Sequence, residues 1–304
     1  MAAAPTTQTW SARAPTRPTL HRLAERLGDL EQLDPGAERV STVVRGVLGS
    51  GAAKDALSGT WLGHALHPLL SDVPIGTWTS ATLLDLFGGE DSEKAAERLI
   101  GVGLAAALPT AASGYSDWAD TTLTSDAVRR IGLVHAVANG TAIALYGLSW
   151  AARKRGHRGR GVALGLVGAG TLALGGHLGG HLSYSRGVGV DQTVFENDPE
   201  DWTTALADAA LGEGESKAVD VGEVTVMVTR RDGRVFALRD RCSHRGGPLH
   251  EGAIEDGCVV CPWHDSAFRL EDGSVARGPA TAPQPAYDVR VREGSIEVRA
   301  PAAH

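Results

Sequence analysis

The chain has 304 residues, 42% hydrophobic and 21% charged, and its 29 Lys and Arg against 36 Asp and Glu give a formal net charge of −7. That apolar content excludes an intrinsically disordered chain, and an acidic protein without a basic face is not expected to bind nucleic acid. Three Cys cannot build a disulfide scaffold, so an essential Cys here points to metal or redox chemistry.

The length leaves room for two domains. The mean hydropathy of −0.09 averages two unlike halves. The first 20 residues hold Pro5, Pro15 and Pro18 but no apolar core, so no cleaved signal peptide is expected. Residues 19–33 (TLHRLAERLGDLEQL) place apolar positions at helical spacing between charges. They predict an amphipathic helix, lying on a membrane surface, against a partner, or solvated ahead of the helices that follow.

Residues 131–152 and 161–184 contain no Asp, Glu, Lys or Arg over 22 and 24 positions. About 20 such residues cross the hydrocarbon core as a helix, so both predict spans. Leu99 to Tyr115 gives a third, of 17 uncharged residues. Val73 to Phe87 gives a fourth, weakened by Asp85; extending it back to Leu66 adds Asp72. Gly165, Gly168, Gly170, Gly175 and Gly176 suit helices packed closely in lipid. The alternative is a buried soluble bundle rich in Ala and Gly.

After Tyr184 the composition turns polar and acidic, predicting a linker and one short helix. From Lys217 onward, five short alternating runs (AVDVG, VTVMVT, RVFALRD, YDVRVRE, SIEVR) are punctuated by Arg231-Asp232-Gly233 and Glu271-Asp272-Gly273, which predicts a small all-β domain. The expected organisation is a surface region at 1–60, a four-span membrane domain at 61–185, a linker at 186–198 and a β domain at 199–304. The fold class is thus an all-α transmembrane four-helix bundle joined to an all-β domain.

Within the β domain stand Cys242-Ser243-His244 and Cys261-Pro262-Trp263-His264. Two C-x-H-type loops closing on each other supply two thiolates and two imidazoles, the set for a [2Fe–2S] cluster with Cys on one iron and His on the other. The rival is a tetrahedral structural zinc, although zinc loops usually begin C-x2–4-C. Cys258 and Cys261 also spell C-x-x-C, a dithiol pattern; with Cys261 used as a ligand, Cys258 is left as a buried strand residue.

Residues 199–300 resemble a Rieske [2Fe–2S] domain of the ferredoxin-like branch that feeds ring-hydroxylating oxygenases and nitrite reductases. The matching segments are CSHRGGPLHEG (242–252), CPWHDSAFRLEDG (261–273) and GPATAPQPAYDVRV (278–291). The resemblance implies Cys242 and Cys261 on the inner iron, His244 and His264 on the outer one, and a cluster-covering loop at Gly278-Pro279-Ala280. It also implies a hydrogen bond from Ser266 to a bridging sulfide. Quinol-oxidising members carry a disulfide where Gly247 and Trp263 stand here, and a Tyr at the place of Phe268. With fewer hydrogen bonds to sulfur, the expected potential lies below theirs. Residues 60–185 resemble an uncharacterised family of four-span bacterial membrane proteins, through His67-Pro68-Leu69-Leu70, Pro74-Ile75-Gly76 and Asp85.

Five histidines, His64, His67, His135, His177 and His181, fall in or beside the spans. Antiparallel topology assigns all five to the leaflet next to the Rieske domain. Two readings stand: a second centre, haem b or another metal, and hydrogen bonding between helices. The loop Arg153-Lys154-Arg155 to Arg158-Gly159-Arg160 is basic, which by the positive-inside rule places the Rieske domain outside. The missing disulfide argues for the cytoplasm, and that placement is the one adopted.

The expected function is a plasma-membrane, multi-pass protein anchored in the lipid bilayer and carrying single electrons to or from a redox protein: a reductase, an oxygenase or a respiratory component. It is an electron-transfer component rather than a stand-alone enzyme. Size excludes a complete oxygenase, since no second soluble domain remains for a mononuclear iron. The alternative is an iron–sulfur redox sensor acting through its membrane domain.

Overall fold

The computed structural model describes residues 18–123 and 125–301. The segment on which the signal-peptide expectation rests lies almost wholly outside the described residues. Among the described residues, seven helices are followed by ten strands: α1 (Thr19–Gly28), α2 (Asp34–Leu48), α3 (Ala52–Ser58), α4 (Leu66–Phe87), α5 (Glu93–Ala119), α6 (Asp126–Lys154) and α7 (Arg158–Gly180) precede the sheets.

The uncharged runs become the cores of α5, α6 and α7. With their flanking turns, these are, among the described residues, the three helices long and apolar enough to cross a membrane. The expected fourth, α4, forms over 22 residues. It differs from the expectation in hydropathy, because Asp72, Asp85, two prolines and a run of hydroxyl side chains dilute its apolar content. Asp85 does not face its surroundings unpaired. Arg153 of α6 donates to it twice, Nη1 to Oδ1 at 2.8 Å and Nη2 to Oδ2, with both side chains buried. That pairing removes most of the cost of an ionised group inside an apolar bundle.

Close packing follows from small residues. A Cβ at Gly103 would sit 2.2 Å from the Trp78 indole nitrogen, and one at Gly132 would sit 2.3 Å from the Trp118 ring. Trp78 in turn stacks on Tyr146 with ring centroids 4.3 Å apart. The amphipathic helix at 19–33 ends earlier than its pattern, at Gly28, and is followed by a single turn at Glu31–Leu33. One face of it packs on the bundle, Ala24 with Val128, Ile131 and Leu178, while Leu20 and Leu23 stay exposed. Arg130 Nη1 then closes its end by donating to the Gly28 carbonyl at 2.9 Å.

Among the described residues, ten strands replace the five expected. The alternating runs are β2 (Ser216–Val221), β3 (Val224–Arg231), β4 (Arg234–Arg239), β9 (Asp288–Arg292) and β10 (Ser295–Arg299). Added to them are β1 (Thr203–Ala207) and four three-residue strands: β5 (Ala253–Glu255), β6 (Cys258–Val260), β7 (Ala267–Arg269) and β8 (Val275–Arg277). Three residues are too few for alternation to register in sequence. The sheets run β1-β10-β9, β2-β3-β4 and β5-β6-β7-β8, all antiparallel where paired. Val226 and Val228 of β3 point into a core with Ile296 and Val298, while Met227 joins Leu238, Val259 and Phe268 in a second core under the loops bearing Cys242 and Cys261.

Candidate metal centre

The first loop leaves β4 and is closed by two backbone bonds, Cys242 N–H to the Gly247 carbonyl at 2.9 Å and Gly246 N–H to the Cys242 carbonyl at 2.8 Å. Gly246 takes φ +77°, a conformation that suits glycine at this turn. The second loop joins β6 to β7 and is closed by Cys261 N–H to the Ser266 carbonyl at 2.8 Å. A third segment, Gly278 to Ala280, is pinned to it, because Ala280 N–H donates to Ser266 Oγ at 2.9 Å. Ser266 Oγ accepts that bond and keeps its own O–H as a donor.

The loops bring the four sequence-chosen side chains together. Cys242 and Cys261 are buried free thiols hydrogen-bonded to each other. Each sulfur also accepts from two backbone N–H groups, those of His244 and Arg245 for Cys242 and those of Trp263 and His264 for Cys261. The shared proton pulls the Cys261 thiol down and pushes Cys242 up. The rings of His244 and His264 meet edge to face, centroids 5.1 Å apart. Burial holds both imidazoles below their ordinary value, His264 to about 4, so they stand neutral as iron ligands must. Both ring nitrogens of His264 are buried without a hydrogen-bond partner. Two amide-cradled sulfurs facing two neutral, underused imidazoles fit a [2Fe–2S] cluster.

Cys258 is buried in β6, its Sγ directed at the Asp256 carbonyl. Three supporting residues carried no sequence signal. Buried Gln284 accepts from Ser243 N–H at 2.9 Å and donates to the Arg239 and Arg241 carbonyls at 2.7 Å each, staking the first loop to β4. Asp120, at the end of α5, places Oδ2 3.4 Å from His244 Nε2. Lys54 of α3 pairs with the same carboxylate at 2.9 Å and donates to the Ser116 carbonyl at 2.7 Å.

The helical half thus caps the cluster loops. Gly278 N–H donates to Asp55 Oδ1 at 3.0 Å, and Thr60 Oγ1 donates to the Ala280 carbonyl at 3.1 Å. Between the two halves lies a cavity of about 540 Å³ lined by His67, Trp118, His135, Asn139, His244 and Pro279.

The five bundle histidines are not gathered into one group. His67 and His135 meet with centroids 6.4 Å apart. Their Nδ1–H groups donate to the carbonyls of Thr110 (3.0 Å) and Gly175 (2.8 Å), tying α4 to α5 and α6 to α7. Asn139 Nδ2 donates to His135 Nε2 at 3.2 Å, so both nitrogens of that ring are engaged. His64 is exposed, its Nδ1 donating to the Ala65 carbonyl at 3.0 Å. His177 is half-buried, with Nε2 buried and unbonded. His181 parts from the rest because α7 widens into a π turn at His181–Ser185, where it packs against His21 of α1.

A small β domain with two Cys-His loops over a hydrogen-bonded core defines an iron–sulfur protein of the Rieske class, here built onto a helical bundle. The chain belongs to the Rieske family, matching the Rieske [2Fe-2S] domain over residues 201–288, and its residues 63–192 match the family described as predicted membrane protein (DUF2231). It is 35% identical over 98 residues to the anthranilate 1,2-dioxygenase ferredoxin subunit of Burkholderia cepacia, covering 32% of this chain and 91% of that protein. It is 36% identical over 96 residues to the 3-phenylpropionate/cinnamic acid dioxygenase ferredoxin subunit of Escherichia coli (strain K12), covering 31% and 90%. Among solved structures, the ferredoxin of carbazole 1,9a-dioxygenase from Nocardioides aromaticivorans IC177 is similar, with 29% identity, 34% and 100% coverage and a TM-score of 0.32.

Proposed function

We propose that this protein is a membrane-anchored one-electron carrier whose [2Fe–2S] cluster is held by Cys242, Cys261, His244 and His264. The observation that carries the reading is the placement of His244 against Asp120, which turns the imidazole edge of the cluster site toward the bundle. When bound, the cluster supplies a one-electron couple. The chain's own residues do the rest. Backbone N–H groups stabilise the thiolates, burial keeps the imidazoles neutral, and Asp120 orients the His244 ring.

The relatives named above are ferredoxin subunits of dioxygenases, and that supports a redox protein as the partner. Exposed Pro262, beside half-buried Trp263, leaves one side of the cluster loops open to it. α5, α6 and α7 are read as crossing the plasma membrane with α4 beside them. His67 and His135 are read as ties between helices rather than ligands of a second centre.

The test is a redox titration of membranes containing the full chain, followed by EPR. A reversible one-electron signal that survives a carbonate wash is the expected result. A signal released by the wash, or no reversible couple, overturns the reading.

A second reading, a redox sensor, is favoured by the contacts of Asp55, Thr60 and Asp120 with two cluster-flanking loops. Hydrogen exchange in α3 and α5 separates the two: a sensor changes there on reduction, and a carrier does not.

A further inference from the structure

We propose that His21, Glu25 and His181 form a divalent transition-metal site that clamps α1 to the end of α7. The three residues come from the amphipathic N-terminal helix and the last helix of the bundle, and the Rieske fold uses none of them. His21 and Glu25 are four residues apart, so they project from the same face of α1. That face meets His181, whose side chain is 2% exposed.

The distances fit a metal better than a hydrogen-bonded triad. His181 Nε2 stands 3.0 Å from Glu25 Oε1, His21 Nε2 stands 3.8 Å from the same oxygen, and all three ligand atoms lie within 4.8 Å of one another. A tetrahedral ion with bonds of about 2.0–2.1 Å separates its ligands by about 3.3 Å, so movements of a few tenths of an ångström to about 1.5 Å would close the set. His181 Nε2 is buried, and despite the short distance it makes no hydrogen bond of acceptable angle to Glu25. A buried, unbonded ring nitrogen beside a carboxylate oxygen suits a ligand to an ion placed between them.

The surroundings fix the remaining atoms. Arg186 donates to Glu25 Oε2, so the carboxylate offers the metal Oε1 alone. The two imidazole rings lie 5.0 Å apart at 65°, leaving room for one ion but not for ring stacking. His181 opens the π turn at His181–Ser185, and such widened turns recur where a helix presents a functional side chain. Two imidazoles and one carboxylate leave a fourth position for water, the donor set of zinc and of ferrous iron. The chain continues from this turn toward the Rieske domain, so an ion here would fasten α1 at the point where the two halves join.

The test uses the untagged, cluster-loaded full chain in detergent at neutral pH, titrated with Zn²⁺ against a chromophoric chelator, with iron and zinc counted by elemental analysis. The expected result is one zinc beyond the cluster iron, with affinity falling at least tenfold in both His21→Ala and Glu25→Gln. Zinc should also slow proteolysis between α1 and α2 in the wild type and not in those variants. Both substitutions fall on partly exposed side chains and leave His181 in the fold. An unchanged iron content in the variants shows that the protein is intact. No zinc beyond background, equal affinity in wild type and variants, or loss only in His67→Ala would overturn the proposal.

Discussion

His244 Nε2 lies 3.4 Å from Asp120 Oδ2, so a carboxylate at the end of a bundle helix faces an imidazole of the cluster site. Nε2 is the His244 ring nitrogen that meets Asp120, so Nδ1 is the one that would be left to hold iron. A fixed negative charge there opposes the arrival of an electron, and Lys54 offsets it only in part.

Asp120→Asn should therefore raise the midpoint potential of the cluster. One unit charge at about 10 Å under an effective dielectric of about 20 is worth roughly 1.7 kcal/mol, or about 70 mV for one electron. EPR-monitored titration at pH 6 reads the shift. A potential that stays put or falls means that Asp120 does not act on the cluster.

Gly278→Ala tests the joint between the halves. A Cβ at Gly278 would lie 2.2 Å from Thr60 Oγ1 and 2.8 Å from Asp55 Oδ1. These two side chains make the hydrogen bonds that hold the loop at Gly278 to Ala280, so the methyl group must push them away. Losing both bonds costs roughly 1–3 kcal/mol of docking. Hydrogen exchange should speed up at residues 52–60 and 278–282 while the cluster still assembles. Unchanged protection would show that the interface does not depend on this contact.

The elements differ in how far the sequence announces them, and the reasons are physical. The uncharged stretch at 131–152 gives the middle of α6, but the helix begins at Asp126 because Ser125 Oγ caps it, accepting from Val128 N–H at 3.4 Å. Arg129 and Arg130 then fit the first turns because Asp34 of α2 pairs with both, with Glu38 and Asp126 adding to Arg129. Composition cannot see a pairing across the fold. The four candidate ligands are legible because each pair sits on one tight loop. Asp120 and Gln284 are silent because their partners come from other parts of the fold. Topology sends five histidines to one end of the bundle, but which of them meet depends on side-chain direction and on the π turn at His181.

Phe268→Tyr should raise the midpoint as well. Phe268 is fully buried in the core shared by Cys242 and Cys261. A hydroxyl reaching a ligand sulfur would stabilise the more negative, reduced state. The paired measurement is the potential together with a structure of the variant. A hydroxyl seen at sulfur with no rise in potential would refute the argument.

The last prediction concerns acid and the N-terminal helices. Arg130 donates to Asp34 through Nε at 2.7 Å and Nη2 at 2.6 Å, and Arg129 adds a bond at 3.0 Å. Chiefly through the Arg130 bonds, the Asp34 carboxyl is held down at about 2, against an ordinary value of 3.8. Between those values the unfolded chain binds a proton that the folded one refuses, so stability rises with pH across the window. The contribution is complete above about pH 4 and is lost as pH falls through 2. Arg130 also closes the end of α1, so protonation of Asp34 loosens α1 and α2 together. Proteolysis with an acid protease between pH 4.5 and 2 should cut progressively faster in the segment at 28–34. In Asp34→Asn cutting should already be fast at pH 4.5, with a smaller change across the window. Equal pH profiles for wild type and variant would mean that this ion pair does not hold the N-terminal helices to the bundle.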